Sequence, residues 1–354
     1  MSNLQIGLAI AGGLVLAGVV AHSAWSARKN QPKLATPPEP DEQLATQGAE
    51  AALTVRQDPS FDGDSNLGSL SSFALLPSLE KKPGLDPLID VIAPVAVDDD
   101  VSGEAALSAM PATRRAGSKP FGVEGLNTAT SLWELPSANQ RYSAFQCGVQ
   151  LANRLGALNQ IEYSEFVMKT QAFADAIDGA PEFPEMSDEV ARARELDQFA
   201  NAHDAQLSFT LRASGTAWSP GYVAQNAARL GFVAGSIPGR MVLPANQNGG
   251  APLLGLAFDT QAAMAEDPEQ TALREVTLSL DVPQVSRSEQ PFMRMREAAM
   301  ALATNMGGAV MDDNGNVIMP AAMDVIGVDL EKLYDTLDER DLAAGSVLAR
   351  RLFS

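Results

Sequence analysis

The feature that most constrains this chain is its first apolar run, Leu4 to Trp25, which contains no Lys, Arg, Asp or Glu. At about 1.5 Å of rise per residue, some 20 helical residues match a hydrocarbon core roughly 30 Å thick. A cleaved signal peptide would need a positively charged segment ahead of a shorter apolar stretch, and the first three residues carry no charged side chain. The run therefore predicts an uncleaved transmembrane anchor over residues 1–28.

Basic side chains follow the apolar run, at Arg28, Lys29 and Lys33. Because basic residues stay on the cytoplasmic side of a span, the amino terminus is predicted to be periplasmic and the remaining chain, roughly 325 residues, cytoplasmic. We expect a single-pass protein whose contact with the membrane is made by residues 4–25.

The chain is strongly acidic, with 44 Asp and Glu against 25 Lys and Arg and a net charge of −19. Such a charge repels a nucleic-acid backbone, which argues against a nucleic-acid partner. Cys147 is the one cysteine of the sequence, so no internal disulfide can form, in agreement with a reducing compartment. The two histidines, His22 and His203, have no partner at metal-ligand spacing.

Residues 29–84 are predicted to form a flexible linker, because neither a period of 2 nor a period of 3.6 is sustained there. Prolines interrupt a polar, acid-containing background in this stretch: Pro32, Pro37, Pro38, Pro40, Pro59 and Pro77. Folded structure is expected after it, with a first unit over residues 85–203 and a second unit over residues 204–354.

The two units are predicted to follow the same order of elements. The first is expected to contain strand 87–97, helix 103–110, strand 121–126, strand 142–152, strand 161–173 and helix 188–202. The second is expected to contain strand 206–213, helix 220–230, strand 232–243, strand 252–258, strand 276–282, helix 289–306, a short strand 309–311, a turn into strand 317–319 and a last helix from Pro320.

A duplicated unit is our interpretation of this order, and a single larger sheet is the alternative. Residues 157–161 and 272–276 also resemble each other, with two identities in five positions. In either case, hairpins joined by helices predict an α+β fold, in which an antiparallel sheet has its helices packed on one face.

Local signals mark the helix ends of the second unit. Ser219 followed by Pro220 is typical of an N-cap and a first helical residue, and Ser286 with Glu289 has the spacing of a capping box. After this box, a buried stripe predicts one amphipathic helix. The stripe consists of Phe292, Met295, Ala299, Leu302 and Met306.

The sequence carries no motif for catalysis or cofactor binding. It has no phosphate-binding glycine loop and no nucleophile elbow around a serine, and Asp98–Asp100 lacks the spacing and the glycine of a calcium-binding loop. We therefore expect a binding or structural protein that is not an enzyme, with no cofactor, no metal and no small-molecule substrate.

One segment near the end of the chain resembles a known family. Gly307–Pro320 reads GGAVMDDNGNVIMP and precedes an amphipathic helix; Gly231-Phe232 and Val282-Pro283 end an earlier helix and strand. Over residues 204–338 the chain resembles the C-terminal FtsZ-binding domain of the bacterial cell-division protein ZipA family. The resemblance implies binding of the C-terminal tail of FtsZ and tethering of division filaments to the inner membrane. A membrane-anchored scaffold for another division or envelope component is the alternative, followed by a tethered enzyme.

The expected partner site is the open face of the second sheet. Residues 276–282 alternate between apolar and polar side chains, which predicts a strand with one buried face and one wet face. The resemblance implies the following partner-binding residues: Thr277, Ser279 and Asp281 of this strand, Ile237 of the second strand, and Asp259 or Thr260 of the third. Ser279 takes the place of a groove phenylalanine of the family, so a less apolar groove is expected.

A second possible site lies in the first unit. Leu151–Asn153 resembles the third strand of the family, with Arg154 at a groove position. The peptide could therefore sit on the first unit instead.

Overall fold

Two antiparallel six-stranded sheets form the framework of the described part of the protein. The computed structural model describes residues 32–35, 84–246, 250–267, 271–312 and 314–354. The predicted transmembrane run, with most of the predicted linker, lies outside these ranges. No helix among the described residues is long and apolar enough to cross a membrane, and all described residues belong to one compact body.

The first unit, residues 84–203, contains eight strands and three helices among its described residues. In chain order these are β1 (Asp90–Ser102), α1 (Gly103–Ala109), β2 (Arg115–Ala116), β3 (Lys119–Asn127), β4 (Trp133–Glu134), β5 (Arg141–Gln150), β6 (Ala152–Asn153), β7 (Gly156–Ala157), α2 (Gln160–Ala176), β8 (Gly179–Pro181) and α3 (Met186–His203).

The second unit, residues 204–354, contains six strands and five α-helices among its described residues. These are β9 (Gln206–Ala213), α4 (Pro220–Ala228), β10 (Val233–Ala234), β11 (Arg240–Leu243), β12 (Leu254–Ala257), α5 (Thr260–Ala263), β13 (Glu275–Asp281), α6 (Pro291–Met306), β14 (Gly308–Met311), α7 (Pro320–Asp338) and α8 (Val347–Leu352).

The two sheets have the same topology. The first has the order β2-β3-β5-β1-β8, with β4 paired to β3, and the second has the order β10-β11-β12-β13-β9-β14. When β4 and β10 are set aside, each sheet has five strands. In each sheet the first strand in the chain (β1 or β9) lies between the fourth (β5 or β13) and the last (β8 or β14), and these pairs are antiparallel. The units therefore repeat one α+β arrangement, and the alternative of a single larger sheet is wrong.

Each sheet carries a long helix packed on one face, α2 on the first and α6 on the second. The Phe145 ring of β5 lies 5.4 Å from the Phe173 ring of α2, and the Phe209 ring of β9 lies 6.4 Å from the Phe292 ring of α6. Leu278 of β13 pairs with Phe209 and is fully buried. The apolar half of the alternating strand thus faces α6, as the period of 2 predicts.

The strand predicted over residues 161–173 is wrong, because this segment is helix α2. Asn159 accepts hydrogen bonds from two helical amides while the Glu162 side chain accepts from the Asn159 amide, which forms a capping box. The buried side chains recur at helical spacing: Tyr163, Phe166, Thr170, Phe173 and Ala174. In consequence β5 of the first unit corresponds to β13 of the second. The two similar segments differ in structure, because residues 157–161 lead into a helix and residues 272–276 lead into a strand.

The strand predicted over residues 232–243 is interrupted. Val233–Ala234 and Arg240–Leu243 pair as a short hairpin, and the turn between them contains Gly239 at φ +77°. A side chain at Gly239 would place its Cβ 2.7 Å from the carbonyl oxygen of Phe258, so the chain must turn at this residue.

Of the helix-end predictions, the one at Ser219 is confirmed, since its side chain accepts a hydrogen bond from the Tyr222 amide and Pro220 opens α4. The capping box at Ser286 is wrong. The Ser286 hydroxyl caps a 3-10 turn, Arg287–Glu289, and α6 begins only after Gln290, which adopts φ +50°. Residues 317–319 contribute an isolated bridge between Met311 and Val317 instead of a strand.

Four residues of the predicted linker, Pro32–Ala35, pack on the second unit. The Lys33 amide donates to the Ala217 carbonyl at 2.7 Å, and the Lys33 carbonyl accepts from the Ser219 amide at 2.9 Å. The Lys33 ammonium donates to the Met306 carbonyl at 2.5 Å, where a cation complements the carboxyl end of α6. This segment is therefore part of the folded body.

Candidate functional site

The face of the second sheet that points away from α6 forms a trough of small side chains. Cross-strand partners lie on the same face of a sheet, so the pairing register fixes two rows across this face. One row is Val233, Val242, Gly255, Ser279 and Ser208, and the other is Arg240, Ala257, Thr277, Thr210 and Met311. Small side chains lie in the middle of this face, and larger ones lie towards its edges, Val233 and Val242 on one side and Met311 on the other.

Three of the sequence-predicted site residues lie on this face. Thr277, Ser279 and Asp281 are half-buried and alternate with fully buried neighbours. The Ser279 hydroxyl donates to the Gly255 carbonyl at 3.4 Å and lies over Gly255, where a Cβ would come within 2.7 Å of its oxygen. This strand therefore presents its wet face as the sequence predicts.

The other three predicted residues lie off the rows. Ile237 lies in the β10–β11 turn, not on a strand, with 55% of its surface exposed. Asp259 caps α5 by accepting a hydrogen bond from the Gln261 amide at 2.9 Å, and Thr260 is the first residue of that helix. All three lie beyond the Ala257–Thr277 end of the trough, whereas Asp281 lies at the opposite end.

An arginine of the first unit closes the Asp281 end of the trough. Arg154 Nη1 lies 2.7 Å from Asp281 Oδ2, and Arg154 Nη2 lies 2.7 Å from Asp204 Oδ1. Hydrogen bonds from Arg154 to Asp204 and then to Asp281 raise the pKa of the guanidinium above its ordinary value. The guanidinium is thus a permanent positive charge shared by two carboxylates.

The hairpin that carries Arg154 is built on a buried lysine. Lys119 is 1% exposed, and its ammonium donates to Asn153 Oδ1 at 2.8 Å and to the Gly156 carbonyl at 2.5 Å. Burial lowers the pKa of Lys119, and the nearby carboxylate of Glu162 acts in the opposite direction. Because these bonds hold both ends of the β6–β7 turn, they fix the direction in which Arg154 projects.

A cavity of about 390 Å³ lies at this end of the trough. Its lining comes from both units and includes Arg154, Val242, Gly255, Ser279, Asp281 and Gln284. Gln284 in turn donates to the Phe353 carbonyl at 2.7 Å, which ties the end of the chain to the rim. The cavity combines a small-residue floor with one charged corner, an arrangement suited to one apolar side chain and a neighbouring polar backbone group.

The family resemblance puts Arg154 at a groove position of the first unit, whereas the structure places it in the β6–β7 turn, in contact with Asp281, 127 residues further on. Nothing local in the sequence distinguishes this arginine from the other exposed basic residues, so its partner follows from the packing of the two units.

The open face of the second sheet has the form that extended peptides use when they bind across a sheet. Among the described residues, no group of three or more His, Cys, Asp or Glu could hold a metal ion. Residues 258–327 match the family model of the ZipA C-terminal FtsZ-binding domain. This match runs from the end of β12 through β13, α6 and β14 into α7, and it confirms the resemblance to the ZipA family.

The family is one of FtsZ-binding domains in cell division and is not an enzyme family. The match thus points to an FtsZ-binding role in cell division. The comparison with curated proteins found no match for the chain.

Proposed function

We propose that this protein is a membrane-anchored cell-division protein that binds the C-terminal tail of FtsZ on the open face of the second sheet and tethers FtsZ filaments to the inner membrane. The observation that supports it most is the family match, which includes β13 and β14 of this sheet and α6 on its other face. An extended peptide laid across the trough could place apolar side chains between Val233 of β10 and Met311 of β14, which are the two edge strands of the sheet.

The affinity expected from this surface is modest. The floor of the trough consists of Gly255, Ala257, Thr277 and Ser279, so each ligand side chain buries little apolar area. At about 25 cal/mol per Å² of apolar surface, a missing aromatic contact removes a substantial part of the binding free energy. We infer that the partner gains its specificity from shape and from the charged corner at Arg154.

The membrane part of the proposal rests on the sequence. The apolar run over residues 4–25 and the basic residues after it support a single span with a periplasmic amino terminus and a cytoplasmic body. Lys33, which contacts Met306, follows Trp25 by eight residues. Eight extended residues reach at most about 28 Å, so the second unit would be held close to the membrane surface.

Calorimetry with a synthetic FtsZ tail peptide and the full-length protein in detergent tests the proposed function. We expect one peptide per chain, with binding reduced by Val242→Asp at the trough and unchanged by Leu107→Asp on α1 of the first unit, where the leucine is 41% exposed. Absence of binding to the wild type would refute the FtsZ assignment and favour a scaffold for another division or envelope component.

A further inference from the structure

In the first unit, the sheet face that corresponds to the trough is covered by the protein's own chain. The segment Gly84–Leu88 runs over the face opposite to α2, and Leu85 lies on the cross-strand pair formed by Gly122 of β3 and Gly148 of β5. Leu85 is half-buried in this position. The segment therefore contacts the first sheet in the way that a bound peptide would contact the second.

The two glycines make room for the leucine. A Cβ at Gly148 would lie 2.5 Å from Leu85 Cδ2, and a Cβ at Gly122 would lie 3.4 Å from the same atom. Neither glycine has a positive φ, so backbone conformation does not require them. Their role is the close approach of the leucine side chain to the sheet.

Polar contacts hold the backbone of the segment. The Leu85 amide donates to Glu124 Oε1 at 3.1 Å, and Glu124 Oε2 accepts from Gln146 Nε2 at 2.8 Å. The carbonyl oxygens of Gly84 and Pro87 accept from two arginines, Arg351 Nη1 at 3.3 Å and Arg192 Nη1 at 2.5 Å. Backbone donors and acceptors are thus both used, as in peptide recognition.

The register of the strands identifies the matching place in the second unit. Asp90, the first residue of β1, pairs with Gln150, the last residue of β5. In the second unit Gln206, the first residue of β9, pairs with Asp281, the last residue of β13. Counting two residues inwards from the end of each fourth strand, Gly148 corresponds to Ser279. Their third-strand partners, Gly122 and Gly255, then correspond as well.

The place that Leu85 fills in the first unit is therefore the Gly255–Ser279 cavity of the second unit. An arginine marks the same corner in both. Arg351 Nη2 lies 2.5 Å from Asp90 Oδ1 in the first unit, as Arg154 Nη1 lies 2.7 Å from Asp281 Oδ2 in the second.

We propose that Gly84–Leu88 is an internal ligand of the first unit, so that the chain carries two copies of one peptide-binding sheet face, one closed by its own segment and one open to a partner. The open face then takes a segment of the same chemistry: a leucine-like side chain in the Gly255–Ser279 cavity, above the Ser279 hydroxyl, with the preceding backbone carbonyl directed at Arg154. This deepens the proposed function by fixing the pose of the partner and limiting it to one per chain.

The test uses a capped peptide of residues 83–90 as a probe and the wild-type protein in detergent. We expect calorimetry to show one probe bound per chain, competition between the probe and the FtsZ tail peptide, and at least tenfold weaker binding of a probe in which Leu85 is replaced by alanine. Hydrogen exchange should show protection of the Leu85 amide in the wild-type chain.

One variant opens the closed face. Leu85→Ala removes the side chain that fills it, which should accelerate exchange of the amide of residue 85 at least tenfold and raise the number of bound probes from one to two. Leu107→Ala, an exposed leucine of the same unit, serves as the matched control and should keep the wild-type behaviour.

The outcomes separate the two proposals. A wild-type chain that binds no probe, or binds it without competing with the FtsZ tail, overturns the internal-ligand proposal even if the FtsZ tail binds. A wild-type chain that binds the probe at one site while the FtsZ tail does not bind supports the internal ligand and refutes the proposed partner. Two probes bound to the wild type would show that the first face is open and would also overturn the inference.

Discussion

Arg154 and Asp281 are 127 residues apart in the chain, and their side chains form two hydrogen bonds of 2.7 Å each. The same guanidinium also contacts Asp204 at the start of the second unit. One arginine from a turn of the first unit thus contacts the end of the strand that lines the trough of the second. Stability of the interface and geometry of the site are expected to change together when this residue is altered.

Removing this arginine should destabilise the protein. Arg154→Ala leaves Asp204 and Asp281 close together without their shared cation. Because the three side chains are 28%, 21% and 34% exposed, solvent screens the loss, and we expect about 1–2 kcal/mol in chemical unfolding. Arg141→Ala, whose 62% exposed side chain lies 3.9 Å from Asp100, should change stability by less than about 0.5 kcal/mol. Equal losses would contradict a special role for Arg154.

The buried stripe of α6 predicts a much larger effect. Leu302 is 1% exposed, and Leu302→Ala should cost about 2–5 kcal/mol through lost transfer free energy and a cavity. Arg296 lies off the stripe and forms an ion pair with Asp324 of α7. Arg296→Ala should therefore cost about 0.5 kcal/mol. Thermal or urea unfolding of the two variants tests the orientation of the helix, which would be misassigned if both lost the same stability.

The open face predicts a gain of affinity from an added aromatic side chain. Thr277→Phe, in the row beside the Gly255–Ser279 cavity, should add apolar contact without touching the core or filling the cavity, and tighten FtsZ-tail binding by about 1 kcal/mol or more. Val242→Asp, in the row of Gly255 and Ser279, should weaken it, whereas Ile237→Asp in the β10–β11 turn is the matched control and should have little effect. Calorimetry measures the affinity and a melting curve checks the fold. A loss of binding in Ile237→Asp alone would move the site to the turn.

The first unit should become less stable in acid through Glu162. Burial alone raises the pKa of this carboxyl, but hydrogen bonds from Ser118 and Asn159 outweigh burial, so its pKa lies below the ordinary value of 4.5. A carboxylate whose pKa is lowered by folding stabilises the protein fully above the unfolded value, and this contribution disappears as the pH falls through the lower folded value.

Urea midpoints at pH 7 and near pH 3 test this dependence. Glu162→Gln should lower the midpoint at pH 7 and show a smaller further loss in acid than the wild type. Glu195→Gln, at an exposed position of α3, should follow the wild-type curve. If Glu162→Gln and the wild type lose equal stability between the two pH values, this carboxylate does not contribute to the acid sensitivity.

The proposed anchor predicts where the protein is found in the cell. A reporter fused after Ser354 should be cytoplasmic, and the uncleaved chain should stay in the membrane fraction, because the apolar run over residues 4–25 is followed by basic residues. Deletion of residues 4–25 should release it. A soluble periplasmic form that begins near Trp25 would contradict the orientation and indicate a cleaved signal peptide.

Much of the second unit could be predicted from its sequence because the signals are local. The alternation over residues 276–282 follows from the period of a strand, and the cap at Ser219 depends on atoms within three residues. The family pattern near Gly307 also spans adjacent residues. The α+β class and the polar face of β13 were accessible for this reason.

The same local reasoning failed where a pattern suits two structures. Residues 161–173 contain aromatic and β-branched side chains that are typical of strands, but their burial follows a helix once Asn159 and Glu162 cap it. Ile237 was predicted to lie on a strand because its neighbours are typical of one. The chain turns at Gly239, and Ile237 therefore lies in the loop between β10 and β11.

The sequence by itself determined the helix α6, the alternating strand β13, the α+β class and the resemblance to the ZipA family, since each depends on residues close together in the chain. Only the tertiary structure decided that Leu85 covers the first sheet and that Arg154 closes the trough of the second. These contacts join residues far apart in the chain. No local sequence pattern around a glycine pair or a single arginine indicates which residue it contacts. Their existence depends on how two copies of one topology pack against each other.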